Sequence, residues 1–147
     1  MARIVDVVGR SVWDSRGNPT VEAEVILKTS RGRAIAPAGA SSGSGEAKAI
    51  DVRQAVHHVN SEIRNSLRGK TLEQQSIDRV LVELDGTPDK SRLGANAIVA
   101  VSLACAQAAA AAARKPLWRH LAGERKLAMP VPQIQIFGGG AHARGRV

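Results

Sequence analysis

A chain of 147 residues with 44% apolar side chains fits one ordinary folded domain, and it is too short for a complete eightfold barrel, which takes about 200 residues or more. With only Trp13, Trp118 and Phe137 as aromatics, the core must be built from Val, Ile, Leu and Ala. The net charge of +8 is uneven, with seven basic residues against one acidic over 114–147 and three against five over 71–113; with no zinc-finger, bZIP or RNA-recognition motif and no aromatic platform for bases, it reads as a solvated face or a surface for an acidic partner.

Residues 1–6 lack the charged-then-apolar layout of a signal peptide. Residues 3–13 are rich in Ile and Val and predict a strand. Residues 14–19 are dense in turn formers. From Thr20 the pattern alternates, with Val21, Ala23, Val25 and Leu27 on one face and Thr20, Glu22, Glu24 and Lys28 mostly on the other, which predicts a half-buried strand. A short turn at Ser30-Arg31-Gly32 leads to a third strand over 33–37. Two tight turns between three consecutive strands give an antiparallel meander.

A loop of small residues follows over 38–45. Val52, Ala55, Val56, Val59, Ile63 and Leu67 recur at helical spacing and predict a helix over 47–67. A second helix is predicted over 72–84, stopped by Asp85-Gly86-Thr87-Pro88, and an Ala-rich third over 93–113. Cys105 lies on that apolar helix and reads as a buried thiol; being alone, it has no partner for an internal disulfide. The Ala run is broken by Gln107 and followed by Arg114-Lys115, unlike a membrane span. Pro116 starts a short fourth helix ending near Gly123. Val131, Ile134 and Ile136 suggest a strand over 130–137 with no obvious partner in the meander, hence the first strand of another domain. The resulting division is 1–127 and 128–147.

Two places are candidates for chemistry. The loop Gly39-Ala40-Ser41-Ser42-Gly43-Ser44-Gly45 offers oxygen ligands suited to a hard cation, but it lacks the Gly-Lys-Ser/Thr ending of a phosphate-binding loop. His142 follows Gly138-Gly139-Gly140, just past a predicted strand, where a barrel collects its active-site groups. His57, His58 and His120 fall on predicted helices and read as surface or packing residues. The carboxylate pair Glu22 and Glu24 shares one strand face and suits a cross-strand charge pair. Asp85 and Asp89 sit in a turn, where Asp caps and turns the chain.

Five blocks in order carry a family resemblance: Asp14-Ser15-Arg16-Gly17-Asn18-Pro19-Thr20-Val21-Glu22, Gly39-Ala40-Ser41-Ser42-Gly43, Leu84-Asp85-Gly86-Thr87, Lys90-Ser91-Arg92-Leu93-Gly94-Ala95-Asn96-Ala97, and Gly138-Gly139-Gly140-Ala141-His142-Ala143. Together they resemble the front part of enolase, the glycolytic phosphopyruvate hydratase. The resemblance implies an α+β fold: a three-stranded antiparallel meander, about four helices, then the first strand of a barrel domain that is truncated at Val147. It implies a lyase that dehydrates 2-phosphoglycerate to phosphoenolpyruvate with Mg2+. By position, Ser41 resembles the loop serine that ligates the second magnesium, and His142 the substrate-contacting histidine. Arg10 and Glu22 match positions that form charge pairs across the enolase dimer.

The acidic magnesium ligands, the lysine base and the glutamate acid lie beyond Val147 in the family, so these 147 residues are expected to be inactive alone. The segment between Glu46-Ala47 and Ala55-Val56 is shorter than in enolases and lacks their Arg-Asp-Gly-Asp stretch. Ile136-Phe137 stands where an asparagine commonly precedes the glycines, and Ala143-Arg144-Gly145-Arg146 is more basic than usual. The expected setting is cytoplasmic, as a homodimer or higher homo-oligomer, with no membrane partner and no nucleic acid. The alternative is a stand-alone, non-catalytic enolase-like module that binds a protein or polyanion through its basic surface.

Overall fold

The computed structural model describes residues 2–39, 43–134 and 136. Strands β1 (Ile4–Trp13), β2 (Pro19–Leu27) and β3 (Arg31–Ile35) form an antiparallel sheet in the order β1-β2-β3. Helix α1 (Val52–His58) runs through a π-helical stretch, Val59–Ile63, into α2 (Arg64–Leu67). Then come α3 (Gln74–Asp85), α4 (Ala95–Ala112) and α5 (Leu117–Ala122). This is the predicted α+β meander with helices following.

The strand register follows the alternation in the sequence. Val7, Val21, Ala23, Val25 and Leu27 point to the inner face and are buried. Helix α4 lies on that face against β2 and β3. Its alanines let the backbones approach so closely that only glycine fits opposite. A Cβ on Gly32 would sit 2.1 Å from the Ala108 nitrogen and 2.3 Å from the Ala104 oxygen. By length and composition α4 is apolar enough to cross a membrane. Here it is the core helix, with Ala97, Ala100, Val101, Ala104, Cys105 and Ala108 in the buried cluster.

The outer face departs from the expected half-buried strand. Glu22 and Glu24 are each only 7% exposed. They lie on the central strand, and Arg10 from β1 with Arg31 and Arg33 from β3 lean over them. Long cationic side chains cover a surface with their stems while keeping the charged heads wet. A pattern of alternation along one strand does not report such neighbours.

The first helix starts five residues later than the predicted position 47. Asp51 caps it, accepting from the amides of Arg53 and Gln54. The chain before Asp51 spends its peptide groups elsewhere: Lys48 N–H donates to Asp89, Ala95 N–H donates to the Lys48 carbonyl, and the Asn96 amide both accepts from Ile50 N–H and donates to its carbonyl. Those bonds compete with a helical turn.

In the π-helical stretch that follows α1, Asn60 binds the outer edge of β1. Its side chain accepts from Gly9 N–H and donates to the Gly9 carbonyl, both at 2.9 Å. Residues 69–71 pair with the start of β1 through Ile4 and Arg3. The predicted strand over 130–137 is not formed in its described part: residues 130–134 are exposed and unpaired, because a lone extended segment has no ladder to join. Residues 135 and 137 lie outside the described residues.

Candidate functional site

Ser41 and His142, the two residues to which the sequence assigns ligand contacts, lie outside the described residues. What the structure places is the chain on either side of the Ser41 loop and the charged face of the sheet.

The turn after β1 is organised by one carboxylate. Asp14 accepts at 2.8 Å from the amides of both Arg16 and Asn18, and Asp14 N–H donates to the Asn18 carbonyl. Gly17, with φ of 77°, donates to the Asp14 carbonyl and supplies the left-handed step the turn requires. The bond from Asn18, then that from Arg16, holds the Asp14 carboxyl below its ordinary range. The Arg16 side chain leaves this turn and donates to the carbonyls of Ala38, at 2.6 Å, and Gly39, at 3.4 Å. Trp13, Ile35, Pro37 and Ala38 join Asp14 and Arg16 around an open cleft of about 340 Å3.

On the other side of Ser41, Gly43 N–H donates to the Glu46 carboxylate at 3.0 Å, and Glu46 N–H returns a bond to the Gly43 carbonyl. Two residues on, Lys48 pairs with Asp89 at 3.0 Å. The Ser91 hydroxyl and Lys48 together push the Asp89 carboxyl far below the carboxylate norm. The connection therefore leaves from a strand end held by Arg16 and returns to a segment pinned on the 89–96 turn.

Glu22 and Glu24, read from the sequence as suiting a cross-strand charge pair, meet arginines from both neighbouring strands. Arg10 and Glu22 face each other across β1 and β2, with Arg10 Nη1 3.4 Å from Glu22 Oε1. The shorter contact, 2.6 Å, runs from Arg10 Nη2 to Glu24. Arg31 and Arg33 add contacts of 3.6 and 3.4 Å to Glu24 and Glu22. The Arg10 hydrogen bond, opposed by burial, draws the Glu24 carboxyl down, and Glu24 in turn raises the Arg10 guanidinium. The structure thus joins Arg10 and Glu22 within one chain. Glu24, Arg31 and Arg33 were missed as partners; the strand register would have found them, since Glu24 stands opposite Val8 and Arg33.

The turn blocks at 84–97 are structural. Asp85, 2% exposed, accepts from Leu93 N–H at 2.7 Å, from Thr87 N–H at 3.0 Å and from the Thr87 hydroxyl. Burial raises its carboxyl, but these bonds together outweigh it and leave it below its ordinary value. Arg92 adds bonds to the carbonyls of Leu84 and Asp85 and to Glu62. His57 and His58 ride on α1, with His58 Nδ1 3.4 Å from Glu62, and His120 lies on α5. These are the packing and surface positions the sequence suggested.

Among the described residues no three His, Cys, Asp or Glu side chains cluster as a metal site. Against known families, a model described as Enolase, N-terminal domain matches residues 4–121.

Proposed function

The chain belongs to the enolase family, and from that premise we propose that it serves phosphopyruvate hydratase chemistry, the dehydration of 2-phosphoglycerate to phosphoenolpyruvate with Mg2+. The observation that carries this reading is the family match over 4–121, which spans the sheet, the helices and the loop that contains Ser41. In this proposal Ser41 supplies an oxygen ligand to magnesium and His142 contacts substrate. The remaining magnesium ligands, the base and the acid come from a barrel domain of which 128–147 is the start.

What the described residues would contribute is position. The Asp14 turn and the Lys48–Asp89 pair hold the two ends of the Ser41 connection, so the loop starts and returns at fixed points. The reaction needs such placement because the proton removed from a carboxylate substrate is only weakly acidic, and charge must be met by groups already in place. We also propose a cytoplasmic homodimer with Arg10 and Glu22 at its contact. The Arg10 side chain is 43% exposed while satisfying Glu22 and Glu24, which leaves it reachable by a partner.

The test is a two-part assay of phosphoenolpyruvate absorbance with Mg2+ and 2-phosphoglycerate. The 147-residue chain alone gives no rise. An enolase barrel stripped of its own amino-terminal domain regains activity when this chain is added. Turnover by the chain alone would refute the division of labour, and a barrel rescued by another enolase's amino-terminal domain but not by this one would refute the assignment.

A further inference from the structure

We infer that Arg16 is a positioning residue: its guanidinium fixes the point at which the 39–46 connection leaves the sheet. The inference rests on the reading above only for the purpose of that connection.

The turn at 14–18 does not need the Arg16 side chain. Its backbone is already tied by the Asp14 carboxylate to residues 16 and 18 and by two main-chain bonds. The guanidinium instead reaches to Ala38 and Gly39, more than twenty positions along the chain. The ladder of β3 has ended by then. Its last ties are Ala36 N–H to the Val21 carbonyl and the Thr20 hydroxyl to the Ala36 carbonyl. Between Ala36 and Gly43, the bonds from Arg16 are the ones that hold the described main chain. Asp14, at 3.7 Å, faces the guanidinium from behind and orients it. Nη2 serves both carbonyls while Nε, on the other side of the rigid plane, faces Asp14; an ammonium puts all its donors on one nitrogen and has no second, fixed nitrogen to turn toward the carboxylate.

The experiment is 15N relaxation on the full chain, comparing wild type, Arg16→Met and Arg16→Lys. Met keeps the apolar stem and removes every donor. In wild type the Gly39 order parameter lies near the rigid value of about 0.85, and in Arg16→Met it falls below about 0.6. Arg16→Lys, which keeps the charge and a donor but loses the planar fork oriented by Asp14, falls between the two. Val21 and Val25 in the sheet stay rigid in all three. An unchanged Gly39 in Arg16→Met overturns the inference, as does a Gly39 already below about 0.6 in wild type. Equal loosening of Val21 and Val25 also overturns it, because the side chain would then be holding the sheet. Should Arg16→Met fail to fold, Arg16→Lys still reads out Gly39, and a rigid Gly39 there counts against the inference. No step uses magnesium or substrate, so the result is independent of whether the hydratase reading survives.

Discussion

Replacing Asp85 by Ala removes the one acceptor that serves Leu93 N–H and both donors of Thr87. Leu93 is fully buried, so its amide has no water to turn to, whereas Thr87 is half-exposed. A buried donor stripped of a charged acceptor costs about 1–3 kcal/mol, and the Thr87 donors recover part of theirs from solvent. The sum is about 3 kcal/mol, or a fall of about 10 °C in Tm for a chain of this size. Asp85→Asn keeps a neutral acceptor and costs about half as much. The pH dependence has a defined sign. The folded Asp85 carboxyl lies below its unfolded value, so its contribution is present above the unfolded pKa of about 3.9 and is lost as pH falls through the folded value. The stability gap between wild type and Asp85→Asn should therefore be full near neutrality and shrink in acid. Urea unfolding followed by circular dichroism from neutral pH into acid measures both quantities. A loss below about 0.5 kcal/mol for Asp85→Ala, within the range of ordinary surface changes, would refute the reasoning. So would a gap to Asp85→Asn that widens in acid.

Gly32→Ala should cost about 3 kcal/mol, the upper part of the usual range for overpacking, because the new Cβ meets backbone atoms of α4 that no side-chain rotation can move aside; an unchanged urea midpoint would contradict this. Cys105, whose thiol burial pushes up to about 12, should resist a thiol reagent at pH 8 in the native protein and react on unfolding. Prompt labelling of native protein would show that α4 opens far more readily than its packing implies.

The sheet and the main helices were legible because their side chains repeat at periods of two and 3.6. Val21, Ala23, Val25 and Leu27 could occupy one face of a strand only, and Ile77 and Leu81 one face of a helix only. The start of α1 was not legible, because Val52 and the small residues before it fit a helix equally well. What stops the helix from extending back is a set of long-range bonds from Lys48 and Ile50 to the 89–96 turn. The burial of Glu22 and Glu24 depends likewise on arginines from two other strands. Of the candidate site, Arg10 and Glu22 were expected in charge pairs between subunits, and their contact with each other inside one chain follows from a strand register that the sequence pattern does not print, while Arg16 passed as a turn residue because its side chain acts at a distance of 22 positions. Ser41 and His142 were chosen on family resemblance, and their surroundings are not described.

The Asn60 side chain has a consequence for how this protein meets copies of itself. A terminal strand with a bare row of peptide groups is a template on which a neighbouring chain can add. Along β1 backbone groups of that row are taken by residues 69–70 at Ile4, by the Arg68 side chain at the Val5 carbonyl, by the Asp6 carboxylate at Val7 N–H and by a single amide at Gly9. The Asn60 amide mimics one peptide unit of a strand without offering a continuation, so a strand adding along this border would meet Gly9 already bonded on both its peptide groups.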